Sequence, residues 1–238
     1  MGGDALNELV ILLPARDEED GIGEVIDRIP TDEINSLGYS PRIVVADGKS
    51  SDSTREIAVS KGAEVVIQNG SIGKGNGVRE ALQEIYNDHD NAEDLLIMLD
   101  ADATYFPEDL PRFVAELQDS DVVWGSRLRG QIENGAMSST NKLGNRLLSL
   151  AASVLFFKRT TDLCTGYWGF KSDIIKNLAL TAEGFNLEAD LFGSIVKKKS
   201  KEIPINYALR EGHSNLRWYA DGPRIMLMII RKRLFGKA

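Results

Sequence analysis

The chain carries one cysteine, Cys164, and two histidines, His89 and His213, among 238 residues. A single thiol excludes an internal disulfide and fits a reducing compartment, and with so few imidazoles no Cys/His metal cluster can be assembled. His89 sits in Asn-Asp-His-Asp-Asn, which reads as a solvated turn. Positive charge is also short: 28 lysines and arginines stand against 36 aspartates and glutamates, a net charge of −8. Nucleic acid needs a basic surface, so it is excluded as a general partner. No basic segment followed by an apolar one opens the sequence, and no secretion signal is expected. The longest apolar runs, residues 147–157 (broken by Ser149 and Ser153) and 225–230, fall short of the roughly 20 residues that cross a bilayer. A Gly-x-Ser-x-Gly elbow for serine catalysis is missing. These absences predict an intracellular protein, soluble or peripheral on the cytoplasmic face of a membrane.

What the chain does have is alternation. Apolar runs at residues 9–13, 43–45, 63–67, 95–99 and 121–124 read as strands, the first stopped by Pro14. Between them Ile22, Val25, Ile26 and Ile29 have helical spacing, and Ser53-Thr-Arg-Glu56 fits a capping box for a helix closed by Gly62. Val78, Ala81, Leu82, Ile85 and Tyr86 mark another helix face, and Leu110, Phe113, Val114 and Leu117 a fourth after Pro107. The order predicts an α/β fold, a doubly wound and mostly parallel sheet with helices on both faces. Later elements read as a helix at 143–157, a short strand at 167–170, a helix at 189–196 and a strand at 203–209. A helix at 223–235 ends the chain, apolar through 226–230 and basic at Arg231, Lys232 and Arg233.

In such sheets ligands bind beyond the carboxyl ends of the strands. Polar clusters fall there at 14–18, 47–52 and 100–104. The sharpest is "LLIMLDADATYFPEDL", where an apolar strand ends on Asp100 and Asp102. Residues two apart in a strand share a face, so the two carboxylates repel and resist ionising. Mg²⁺ or Mn²⁺, which take hard oxygen ligands, would remove the conflict. An acidic turn capping the next helix is the alternative for Asp-Ala-Asp alone, and its place at the end of a buried strand favours metal. "GSIGKGNGV" lacks Walker spacing, with Gln68 and Gly75 at the required Gly and Ser/Thr positions. It reads as a flexible connection capping the next helix, with Lys74 a candidate phosphate neighbour.

Taken in order, these motifs resemble the family 2 glycosyltransferases of the GT-A fold, nearest to the dolichyl- and polyprenyl-phosphate sugar transferases, over about residues 9–235. "LLPARDEE" is similar to the family's Pro-x-x-Asn-Glu segment, with Arg16 for an aromatic and Asp17 for Asn; the resemblance puts Pro14, Arg16 and Glu18 beside the nucleotide. "VVADGKSSDST" is similar to Asp-Asp-Gly-Ser-x-Asp-x-Thr. Asp47 would accept a base N–H, and Gly48 in place of the second carboxylate suggests uridine rather than guanosine. "DADATYFPEDL" resembles the metal motif. Asp102 would ligate the ion bridging the diphosphate, Asp100 would reach the ribose or the ion, and Ala101 lies between them. Thr104 stands where the mannose enzymes often have Gln.

"GSRLRG" and "STNKLGNR" resemble the acceptor loop and the helix behind it, with Arg127 on the acceptor phosphate and Lys142 and Arg146 as helpers. "TDLCTGYWGF" would bring Asp162, Thr165 and Gly166 to the sugar pocket, and "FNLEAD" offers Glu188 and Asp190 as an acidic pair. "LREGHSNL" resembles Arg-x-Gly-Glu-Ser-x-Leu with His213 for Glu, making Arg210 a phosphate clamp. A structural loop or a solvated helix face is the alternative for these last three segments.

The resemblance implies one GT-A domain over 1–238: a nucleotide-sugar half to about 125, an acceptor half to about 222, and an amphipathic helix from 223. It also implies inverting, metal-dependent transfer of a sugar to dolichyl or polyprenyl phosphate, for glycan or protein glycosylation. UDP-glucose or UDP-N-acetylglucosamine is favoured as donor, with GDP-mannose behind. Asp102, Arg127, Asp162, Glu188 and Arg210 are the expected catalytic set. A phosphate acceptor is already an anion and needs no strong base, whereas an alcohol would need one such as Glu188. The last helix would lie on the membrane or be an ordinary core helix with a basic end. The rival readings are a family member with a saccharide or small-molecule acceptor, a nucleotide-sugar pyrophosphorylase, whose usual Gly-rich first loop "LLPARDEE" lacks, and a non-catalytic binder.

Overall fold

Apolar side chains that alternate faces build the centre of the molecule. In the computed structural model, which describes residues 6–87, 93–210 and 218–236, β1 (Asn7–Ala15) sends Val10 and Leu12 into one apolar layer. Leu9, Ile11 and Leu13 enter a second layer on the opposite face. β2 (Tyr39–Asp47), β4 (Leu95–Met98) and β5 (Val122–Ser126) divide their residues the same way, as a strand covered on both faces must. With β3 (Glu64–Ile67), β6 (Trp168–Lys171) and β7 (Ser200–Pro204) they form one seven-stranded sheet in the order β3-β2-β1-β4-β6-β5-β7. All neighbours are parallel except β6, which runs antiparallel to both β4 and β5. The α/β, doubly wound and mostly parallel architecture follows the sequence pattern.

Helices α1 (Ile22–Asp27), α2 (Thr31–Ser36), α3 (Thr54–Ser60) and α5 (Leu110–Asp119) feed the Leu9 face. On the Val10 face lie α4 (Lys74–Tyr86), α6 (Ser139–Phe156), α8 (Leu187–Ser194) and α9 (Trp218–Phe235). The four-residue α7 (Ser172–Ile175) follows β6 directly.

Several local expectations change. Pro14 does not stop β1. Leu12 accepts from Leu99 on the β4 side and Ala15 from Gly48 on the β2 side, so Pro14 faces the β4 side, where the pairing has already ended at Met98. The capping box at Ser53 is not formed; Asp52 accepts the Thr54 N–H at 3.0 Å instead, and Ser53 gives its N–H to Glu19. The strand expected at 203–209 is β7, which begins at Ser200 and ends at Pro204, leaving Tyr207 in an isolated bridge with Ile132. Short α2 carried no periodic signal. Both histidines lie outside the described residues.

α6 is capped by the Ser138 hydroxyl, which accepts the Asn141 N–H, and ends in Phe157 with a left-handed φ of 54°. Its outward face is apolar: Leu143, Leu147, Leu150, Val154 and Phe157 are exposed at alternating spacings of four and three. Neighbouring α9 adds exposed Leu227, Ile230, Leu234 and Phe235.

Candidate active site

Loops leaving the carboxyl ends of β1, β2 and β4 meet. The first two are laced together: Asp17, at φ 54°, donates its N–H to Ser50 Oγ and accepts the Ser51 N–H on Oδ1 at 2.7 Å. Glu18 donates its N–H to Thr54 Oγ1 at 2.9 Å, and Glu19 to Asp52 Oδ2 at 3.1 Å. Asp47, the last residue of β2, is fully buried and accepts the Ser50 N–H. Arg16 is exposed beside Asp17. Gly21 brings the first loop against the third, since a Cβ there would meet the Ala101 oxygen at 3.0 Å.

The third loop holds the acidic pair. Asp102 accepts from the Thr104 hydroxyl at 2.6 Å on Oδ1, and Ala103 between them takes a left-handed φ of 59°. Asp102 Oδ2 receives Arg210 Nη1, while Arg210 Nη2 reaches Glu18 Oε1. On the other side Lys74 Nζ bridges Asp100 Oδ1 at 2.6 Å and Glu188 Oε1 at 2.7 Å. Four carboxylates thus face two cations, leaving two formal negative charges unmatched. Burial first, then the neighbouring Asp102 and Asp100, push the Glu18 carboxyl up to about 8 against the pull of Arg210. Asp102 is raised by burial and then by Asp100, and Glu188 by burial and Asp100 against Lys74. Burial disfavours the charges on Lys74 and Arg210, but their carboxylate partners outweigh it and raise both.

The residues fit a divalent cation. The donor set is hard oxygen, and a guanidinium stands in on Glu18 and Asp102. A Cβ on Gly166 would collide with Asp100 Oδ2, so glycine there leaves that carboxylate its room. No three His, Cys, Asp or Glu side chains converge on one point among the described residues, so further ligands would come from substrate oxygens or water. Ala101 offers only backbone here, because its methyl is in the core.

Other expected site residues stand differently. Arg127, expected as an open cation for the acceptor phosphate, is buried: Nε and Nη2 each lie 2.8 Å from Asp162, and Nη2 also donates to the Cys164 carbonyl. Its guanidinium carbon lies 5.1 Å from the centre of the Tyr207 ring. Asp162 is fully buried and also accepts from Asn145 at 2.6 Å, so the pair braces the wall of the cleft. Next to Asn145, Arg146 is exposed and Lys142 half-buried. Among the described residues neither is hydrogen-bonded to the carboxylate group. Asp190 belongs to another place, accepting the Thr181 and Ala182 N–H groups and pairing with Lys232 of α9 at 2.5 Å. The start of α4 is covered too. Asn76 donates its N–H to the Glu183 carbonyl, and a Cβ on Gly73 or Gly75 would collide with a backbone oxygen. Those glycines serve packing, and the Lys74 ammonium points to carboxylates. Thr165 is buried behind Gly166, whose N–H donates to Tyr105 Oη at 2.7 Å. Burial pushes the Cys164 thiol up to about 12, which excludes a thiolate nucleophile at neutral pH.

The model of the family described as "Glycosyl transferase family 2" matches residues 10–179, most of the sheet and every carboxylate of the cleft except Glu188. The chain belongs to that family. This glycosyltransferase is 34% identical to glycosyltransferase AglJ of Haloferax volcanii over 227 residues, 93% of this chain and 71% of AglJ. The same organism's low-salt glycan biosynthesis hexosyltransferase Agl6 is 31% identical, and the chain spans about half (51%) of its length. Its dolichyl-phosphate hexose transferase is 29% identical, covering 94% of this chain and 93% of that one. Among solved structures, glucosyl-3-phosphoglycerate synthase of Mycobacterium tuberculosis with Mn²⁺, UDP-glucose and phosphoglyceric acid superposes with a TM-score of 0.70, covering 96% of this chain and 80% of the synthase; at 20% identity it shows the GT-A fold alone.

Sequence reasoning missed the lacing residues Ser50, Ser51 and Thr54, and the half-buried hub Glu202. Glu202 accepts from Thr160, Thr161 and Trp124 and so fixes the segment that carries Asp162. A glutamate directly before the strand expected at 203–209 was its available signal.

Proposed function

We propose that this glycosyltransferase transfers a hexose from a nucleotide-sugar to dolichyl or polyprenyl phosphate with inversion, using Mg²⁺ or Mn²⁺. The observation that carries the reading is the excess of two carboxylates over cations in the cleft formed by Glu18, Asp100, Asp102 and Glu188. Asp102 and Asp100 would hold the ion, which when bound supplies positive charge to the departing diphosphate. Asp47 and the laced loop of Arg16–Glu18 form the nucleotide side, with Pro14 and Thr104 at its edges. Lys74 holds Asp100 and Glu188 in place, and Arg210 is the mobile phosphate cation. The Arg127–Asp162 pair keeps the acceptor wall rigid, leaving Lys142 and Arg146 on α6 to meet the acceptor phosphate. Gly166 would line the sugar, with Thr165 buried behind it. A phosphate monoester attacks as an anion, so Glu188 need not accept a proton. The Gly48 and Thr104 departures favour UDP-glucose or UDP-N-acetylglucosamine over GDP-mannose.

A lipid acceptor also suits the exposed apolar stripes of α6 and α9. Residues 139–159 contain Lys142, Arg146, Lys158 and Arg159 and no acid, in a chain of net charge −8. Apolar residues flanked by basic ones match an anionic membrane surface. No helix among the described residues is long and apolar enough to cross a membrane. The test is a donor screen with purified protein, Mn²⁺ or Mg²⁺, a short polyprenyl phosphate and a panel of UDP- and GDP-sugars. The expected result is a polyprenyl-phosphate sugar formed from a UDP-hexose, lost in chelator and reduced at least about 100-fold by Asp102→Asn. Turnover only with a water-soluble acceptor would overturn the lipid reading.

A further inference from the structure

Arg210 reaches across the cleft from the segment after β7 to hold two carboxylates that come from different loops. Its service there is incomplete, because Nε is buried without a hydrogen-bond partner among the described residues. The oxygens it covers are those a metal needs, since Asp102 Oδ1 is already taken by Thr104. A guanidinium and a divalent ion on the same oxygens would repel at short range. Lys74 differs: its side chain is 12% exposed against 23% for Arg210, and it touches Asp100 and Glu188 on the other side of the cluster.

Resting on the metal-dependent transfer proposed above, we propose that Arg210 is an exchangeable counter-ion. It ties Glu18 to Asp102 in the metal-free protein and leaves them when a divalent cation binds. The freed guanidinium then turns to the diphosphate, and Glu18 becomes a metal-side carboxylate alongside Asp102. With all four carboxylates ionised, replacing one positive charge by two at those oxygens leaves the cluster one formal negative charge in excess instead of two. The same side chain thus guards the cation site before loading and serves the leaving group afterwards, while Lys74 stays on its carboxylates throughout.

Mn²⁺ titrated alone into metal-free protein, with free ion followed by electron paramagnetic resonance, tests the exchange. Arg210→Gln is expected to bind Mn²⁺ about tenfold more tightly than the unsubstituted protein, because a competing charged donor is gone. Adding UDP or GDP should tighten Mn²⁺ binding more in the unsubstituted protein than in the variant. Equal or weaker Mn²⁺ binding by the variant overturns the proposal. A second measurement avoids substitution: phenylglyoxal modification of Arg210, read by mass spectrometry, should rise with Mg²⁺ alone and fall when UDP or GDP is added. Modification unchanged by Mg²⁺ overturns it as well. If the unsubstituted protein binds no Mn²⁺ even with nucleotide, the metal reading itself fails, a result distinct from saturable binding that ignores residue 210.

Discussion

One missing methyl, at Gly166, sets how much room Asp100 has. The three atoms nearest a Cβ at that position are those of the Asp100 carboxyl group, a side-chain end rather than backbone, so Gly166→Ala should fold nearly unchanged while displacing Asp100. The expected outcome is a melting temperature within about 3 °C of the parent and Mn²⁺ affinity in the presence of UDP or GDP lowered about tenfold, measured by thermal denaturation and calorimetric titration. Glu18 gives a pH signature. Its folded carboxyl titrates near 8 against an ordinary 4.5, so the folded chain binds the extra proton. This contribution to stability is full below about 4.5 and is lost as pH rises through about 8. In chelator, Glu18→Gln should flatten the decline in stability between those limits, read from denaturant midpoints at successive pH values. At this scale Asp100 and Asp102 were legible because a buried apolar strand runs into them, but β4 ends at Met98 and the pair stands in the loop beyond it, so strand alternation does not set their directions. Arg127 was not: its partner Asp162 is 35 residues away, and a cation in a loop reads as solvent-facing until burial is known.

At the scale of elements, α9 is fastened to α8 by Lys232, which reaches Asp190, the Ala179 carbonyl and Ser194 Oγ. Asp190 is fully buried, so removing the ammonium leaves a buried charge without its counter-ion, held only by hydrogen bonds. Lys232→Met should therefore cost about 3–5 kcal/mol, a fall of roughly 10 °C in melting temperature, read by thermal denaturation. Arg231→Met, one residue away on the exposed face, should cost less than about 0.5 kcal/mol. The strands and helices of the first half were legible because each pairs an apolar run with a turn signal. The limits of β7 were not, because Ser200 and Lys201 carry no β signal of their own and are recruited by pairing with Val122 and Val123. Pro14 misled for a related reason: whether a missing N–H matters depends on how far the neighbouring strand extends.

For the whole molecule, charge is distributed against its net sign. The face made by α6 and α9 is apolar and basic, and the cleft is acidic. Co-sedimentation should show binding to vesicles rich in anionic lipid, little to neutral ones, and weakening as salt approaches about 0.5 M. Leu147→Asp with Leu150→Asp should abolish binding while leaving the melting temperature close to the parent, since both side chains are already in water. The two-faced sheet was legible from composition and alternation, but the strand order was not. Nothing local announces that residues 168–171 enter between strands that precede them by some forty to seventy positions.

That late insertion governs how the protein can be made. While the ribosome is still short of residue 168, Leu95–Met98 has a sheet neighbour on one side only and Val122–Ser126 has none, because β7 comes later still. A single four-residue piece, synthesised after both, joins them, so the seven-stranded order cannot close until more than two thirds of the polypeptide has emerged.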